Sequence, residues 1–160
     1  MRLSTRGRYA VMAMVEMAVR QRGGDLPCQQ ERPVSLADIA SAQQLSLAYL
    51  EQLFGRLRRA GLVGSARGPG GGYRLARSPE LIAVAEIVDA VDEPIRATRC
   101  EEGSPGCLGA GGKCVTHDLW SELGEQIRLF LAHVTLADIV GGRVLGRAAR
   151  PLPEVSQAAE

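Results

Sequence analysis

Leu47, Leu50, Leu53, Phe54 and Leu57 recur at spacings of three and four along a run that opens at Ser46 and stops at Gly61. That spacing puts all five side chains on one face of a helix. Gly61 is a natural residue to end it. Just upstream, Ser35-Leu36-Ala37-Asp38 reads as a capping box that opens a shorter helix through Leu36, Ile39 and Ala40. Only Gln43-Gln44-Leu45 separates the two. Two helices joined by a three-residue turn form the helix-turn-helix pattern, here without the glycine often found in the turn.

The rest of the front half fits around that pair. Ser4 or Thr5 can cap a helix running to about Arg22. Ala10, Val11, Ala13, Met14, Val15, Met17 and Ala18 make it apolar around much of its girth, which places it in the domain centre. With 160 residues and 4% aromatics, the chain can bury one good core, and that core should be aliphatic. Residues 23–33 read as a loop holding Cys28, taken as an incidental thiol. After Gly61, Leu62–Ala66 and Tyr73–Leu75 are two extended runs around the tip Arg67-Gly68-Pro69-Gly70-Gly71-Gly72. That is a β-hairpin, and a hairpin directly after such a helix is a wing. A phosphate-binding glycine loop fails on context, because no Lys-Ser/Thr follows and the next element reads as strand.

The fold class is therefore mainly α with a small β-hairpin: a winged helix-turn-helix domain followed by a long C-terminal helix. On the second helix the outward residues are Ala48, Tyr49, Glu51, Gln52, Arg56, Arg58 and Arg59. Ser46, Tyr49 and Gln52 lie on its first turns, which a recognition helix uses to reach base edges. Gln can read adenine and Arg can hold phosphates. Arg67 is placed to enter a minor groove. Glu51 is repelled by phosphates unless it accepts from cytosine N4, so it can discriminate against wrong operators. Charge agrees: residues 1–77 hold 12 Arg against 5 Asp and Glu, net +7, and residues 78–160 carry net −6. A basic front and an acidic rear fit a polyanion-facing module with a separate regulatory part.

Further along, Val84, Ile87, Val88 and Val91 make a short helix face that stops before Pro94. From Asp118 to about Val134, Trp120, Leu123, Ile127, Phe130 and Val134 form a narrow seam, widened by Leu119 and Leu131. Such a helix pairs with its twin in a homodimer or folds back on its own domain. His133 on it reads as structural. Thr135 can cap a last short helix through Val140, and residues 141–160 read as a disordered tail.

Between these helices lies CEEGSPGCLGAGGKCVTH, residues 100–117, with three of the four cysteines and one of the two histidines. No run reaches the ~18 apolar residues of a membrane span, and Glu16 interrupts the apolar N-terminal run, so a cytoplasmic location without membrane contact is expected. Clustered cysteines there mean metal or redox chemistry more often than disulfides. Cys100-x6-Cys107-x6-Cys114-x2-His117 supplies a three-sulfur, one-imidazole set. If a helix begins near Cys114, then Cys114 and His117 point the same way, and Arg96, Arg99 and Lys113 favour the thiolate form. Zinc and an iron–sulfur cluster both accept such a set. Glycine-rich spacers of six suit the larger cluster core; zinc, or a metal-free thiol switch, is the alternative. No nucleophile–base pair stands outside this segment, so an enzyme is not expected.

MRLSTRGRYAVMAM, SLADIA, LSLAYLEQLFGRLRRAGLV, RGPGGGY, ATRC and CVTHDLW together resemble the IscR-type winged-helix iron–sulfur transcription regulators, over roughly residues 1–140. The resemblance implies a homodimer that binds double-stranded DNA and carries one 2Fe–2S cluster per subunit. It places the ligands on Cys100, Cys107, Cys114 and His117, the DNA-contacting face on Ser46, Tyr49 and Gln52, and the wing contact on Arg67. It further implies control of cluster-assembly genes and exchange with iron–sulfur cluster donor proteins. The expected division is 1–80 for DNA binding, 81–117 for the linking helix and ligand segment, 118–140 for dimerisation and 141–160 for the tail. Three features depart from the family pattern: the cysteine spacers are one residue longer than the usual five, the loop 23–33 is longer than expected, and Ala48 stands where a hydroxyl residue is more usual. The competing reading from another class is an iron–sulfur carrier or electron-transfer protein, which would show no salt-sensitive DNA affinity.

Overall fold

The computed structural model describes residues 5–22, 33–68, 70–91 and 112–144. Helix α1 (Thr5–Arg22) runs through the middle, with Ala10, Ala13, Met14 and Met17 sealed from solvent. The small side chains at 10 and 13 let neighbouring helices approach, and the unbranched methionines fill what remains. Helices α2 (Leu36–Gln43) and α3 (Leu47–Arg59) pack on it and on each other. At the head of α2, Ser35 Oγ accepts the Asp38 amide at 3.1 Å. The turn without a glycine is solved by Gln44, which takes the left-handed conformation at φ 53° and ψ 42°. That geometry lets the Leu45 amide reach the Ala40 carbonyl at 3.0 Å. Past the end of α3, Gly61 is also left-handed, and the Leu62 amide closes back on the Leu57 carbonyl.

Strands β1 (Val63–Ala66) and β2 (Gly72–Leu75) pair antiparallel, with Val63 opposite Leu75 and Ala66 opposite Gly72. Val34 adds a third rung: it exchanges two backbone bonds with Tyr73, at 2.7 and 2.8 Å. The wing is thereby hung on the residue that precedes the Ser35 cap.

Helix α4 (Val84–Val91) lies against α1 and α3. Helix α5 (His117–Ala132) and helix α6 (Leu136–Val140) follow the cysteine segment. Val134 and Leu136 stitch the end of α5 back to the start of α4. The Val84 amide donates to the Val134 carbonyl at 2.8 Å, and the Leu136 amide to the Ile82 carbonyl at 3.0 Å. Thr135 and Asp138 form a complete capping box at the head of α6. Ile82, Ile87, Val91 and Leu136 share one core with α1, α2 and α3, so residues on both sides of position 80 are packed together. The architecture is mainly helical with one hairpin, as the sequence reading has it, and the core is aliphatic apart from Phe54.

Only Gly124 of α5 is buried. Leu119, Trp120 and Phe130 stand 61, 43 and 41% exposed, with Leu123 and Leu129 beside them. Helices draw most of their stability from a packed face; this one presents its apolar face outward. Leu131 near its end, and Val134 just past it, pack with Val84 and Val88.

Candidate nucleic-acid interface and cysteine segment

Ser46, Ala48, Glu51, Gln52, Arg58 and Arg59 are exposed along α3, while Leu50, Leu53, Phe54 and Leu57 are buried beneath them. Ser46 is the exposed N-cap residue of α3, and its hydroxyl makes no capping bond. Tyr49 is half-buried, its ring edge-on to Tyr9 with centroids 6.1 Å apart. This contact sets the first turn of α1, with exposed Arg6 and Arg8, beside the first turn of α3. The sequence reading missed these two arginines; the only signal was a charged pair leading an otherwise apolar helix.

The arginines of α3 differ from one another. Arg58 is exposed near the end of the helix. Arg59 turns back, its Nε donating to the Gly55 carbonyl at 3.3 Å. Arg56 Nη1 donates to the Val91 carbonyl at the end of α4, at 2.8 Å. Arg67 is exposed at the base of the wing tip. Gly68, at φ 104°, makes the tip turn that the Gly71 amide closes on the Gly68 carbonyl. Gly72 is required by the protein itself: a Cβ there would lie 2.4 Å from the Val34 carbonyl oxygen.

The wing is braced from below. Leu75 donates its amide to the Gln21 side chain at 3.5 Å, and Arg77 pairs with Glu86 of α4 at 2.5 Å. Burial works against ionisation of the Glu86 carboxyl, but hydrogen bonds from Arg77 and the Ala83 amide, with the charge of Arg77, hold it below the usual range.

Of the expected metal ligands, Cys100 and Cys107 lie outside the described residues, as do Arg96, Arg99, Cys28 and the tail beyond 144. Cys114 is half-exposed, its Sγ 3.6 Å from Thr116 Oγ1. The His117 amide donates to the Cys114 carbonyl at 2.9 Å. Cys114 therefore sits on a hydrogen-bonded turn just before α5 and not on the helix, and His117 is the first helical residue. Lys113 reaches Asp118 at 3.6 Å, in an exposed and hence weak pair. Among the described residues no group of three or more His, Cys, Asp or Glu could hold a metal. The donor chemistry of Cys114 and His117, one turn apart and open to solvent, fits half of a thiolate–imidazole set. No helix among the described residues is long and apolar enough to cross a membrane.

Comparison with known proteins gives a consistent result. The HTH-type transcriptional regulator IscR of Yersinia pseudotuberculosis is 50% identical over 143 residues, covering 89% of this chain and 81% of that protein. The solved structure of T. potens IscR superposes with a TM-score of 0.68 at 34% identity, covering 96% of this chain and 93% of that one. CymR, the global cysteine regulator of B. subtilis, gives a TM-score of 0.69 at 33% identity, covering 89% and 98%. These relatives are regulators of transcription and not enzymes, in agreement with the sequence reading. Residues 3–142 match the Rrf2 family, iron-dependent transcriptional regulators, and with the IscR likeness they make this chain a DNA-binding transcriptional regulator of that family.

Proposed function

We propose that this regulator binds duplex DNA as a homodimer and holds a 2Fe–2S cluster on Cys100, Cys107, Cys114 and His117, matching transcription of iron–sulfur assembly genes to cluster supply. The observation that carries this reading is α5: it begins at the ligand His117 and then runs for 16 residues with Gly124 alone buried. Ligand and exposed apolar face share one helix. A second copy covering Leu119, Trp120, Leu123 and Phe130 would make each α5 a part of the dimer and of the cluster site together.

In this reading Ser46, Tyr49, Glu51 and Gln52 face base edges, Arg58 and Arg59 lie toward phosphates, and Arg67 enters the minor groove. Residues 1–80 supply the DNA-facing part, 81–117 the sensor and 118–140 the dimer contact. The protein works in the cytoplasm and receives its cluster from iron–sulfur donor proteins. When bound, the cluster supplies iron–thiolate and iron–imidazole bonds that tie residues 100–117 together and are lost to oxidation or to protonation of the imidazole.

Purification without oxygen, followed by iron and sulfide analysis and visible absorption, tests the proposal. Coloured protein with two irons and two sulfides per chain is expected, and Cys107→Ala should be colourless. Zinc in place of iron, or metal-free protein with oxygen-sensitive DNA binding, would replace the cluster with a zinc or thiol sensor.

A further inference from the structure

Arg56 is exposed on the polar side of α3, yet its guanidinium reaches back to the protein's own backbone. Nη1 donates to the Val91 carbonyl, 35 residues away, at 2.8 Å. Val91 is the last residue of α4, and the final carbonyls of a helix have no donors within it. The last turn of α4 carries no basic residue of its own. Arg56 thus donates to a carbonyl of the last described turn of α4 and brings there the positive charge that the negative end of a helix favours. Beneath this bond, Leu53, Phe54 and Leu57 of α3 share the core with Ile87 and Val91 of α4. The apolar contact sets the two helices side by side, and the polar bond ties α3 to one end of α4. That end is the one from which the chain continues to Cys100, nine residues further on.

We propose that Arg56 is a positioning residue and not a phosphate contact: it joins the recognition helix to the end of α4, so that loading of the cysteine–histidine segment is felt at the DNA-reading face. The coupling, though not the placement of the guanidinium, rests on the cluster-sensing function proposed above. The two roles for this arginine differ in a measurable way. An arginine on a phosphate releases counterions and steepens the salt dependence of binding by about 0.9 in the logarithmic slope. An arginine held by Val91 contributes nothing to that slope. It contributes instead to the ratio of affinities between cluster-loaded and cluster-stripped protein, where coupling of ordinary size spans about 5- to 150-fold.

Full-length R56M, with R58A as the comparison, should be titrated against a duplex selected from random DNA by the unaltered protein. Both loaded protein, reconstituted with iron and sulfide, and stripped protein are measured across a range of salt. For R56M we expect the parent's salt slope in both states, with the loaded-to-stripped affinity ratio reduced at least about fivefold. R58A should show a shallower slope and the parent's ratio. A shallower slope for R56M with an unchanged ratio overturns the proposal, as do an unchanged slope and ratio together. Should R56M fail to fold, R56Q, which removes the charge and keeps a shorter amide side chain, is read on the same two quantities. If the unaltered protein itself shows no difference between loaded and stripped states, the sensing function has failed. The slope of R56M then still decides whether Arg56 touches phosphate.

Discussion

The ring of Tyr73 stands edge-on to the ring of Phe54, centroids 5.0 Å apart and planes at 67°. Tyr73 lies on the wing and Phe54 in the buried face of α3, so one aromatic pair joins the wing to that helix. The backbone bonds from Tyr73 to Val34 keep that strand in place when the ring is removed.

Tyr73→Ala should therefore leave a folded protein whose wing keeps its bonds to Val34 but loses its aromatic contact with α3. A loss of about 1.5–3 kcal/mol is expected for a half-buried aromatic in such a pair. Denaturant melts measure it. DNA affinity should fall while α-helical circular dichroism stays near the parent's. Gly72→Ala should be comparably harmful for a different reason, since its Cβ meets the Val34 carbonyl at 2.4 Å and the strand must shift.

Gln44→Gly should stabilise the protein. Gln44 sits at φ 53°, where an L side chain costs roughly 1–2 kcal/mol. Glycine removes that cost and adds entropy to the unfolded chain. A net gain of about 0.5–1 kcal/mol is expected in thermal or urea unfolding, and no gain would mean that the turn relaxes elsewhere.

If α5 forms the dimer contact proposed above, Trp120→Asp should leave a monomer. The substitution puts a charge on the exposed stripe of α5 without touching the core. Sedimentation should show the mass of one chain, and DNA affinity should fall roughly 100-fold or more as the two heads lose their link. A Trp120→Asp protein that still sediments as a dimer would move the interface off α5.

Glu86→Gln reads the Arg77 pair. Because the folded carboxyl titrates below its ordinary value, its contribution is present above the unfolded pKa and lost as pH falls through the lowered folded one. The groups are about two-fifths exposed, so solvent screening keeps the effect under about 1 kcal/mol near neutrality. Parent and Glu86→Gln should differ in urea midpoint at neutral pH and converge in acid.

Glu51→Ala should broaden operator choice. Glu51 is exposed on the face that carries Gln52 and Ser46, and a carboxylate there penalises every base that offers it no donor. Selection from random duplexes by loaded and stripped protein gives the measure. The same sequence preference in both states as the parent would end that role.

Much of the DNA-facing part was legible from neighbours along the chain. The leucine spacing of α3, the serine before α2, Thr135 before α6 and the glycine tip are signals within four residues of the structure they dictate. The exposed seam of α5 was legible in the same way, because an apolar stripe shows its period whether or not its partner is present. The cysteine spacing named a ligand set, but Cys114 proved to lie on a turn preceding the helix, since its carbonyl is taken by the His117 amide.

Composition, spacing and caps determined that this chain makes six helices and one hairpin among its described residues, and where the polar faces lie. Tertiary structure alone decided what the polar groups on those faces bond to. Arg56, Arg58 and Arg59 look alike in the sequence and all three are exposed, yet the Val91 carbonyl holds the first and the Gly55 carbonyl the third. The reason is that periodicity assigns a side chain to a side of its helix, whereas its hydrogen-bond partner depends on which distant backbone end the core brings within 3 Å.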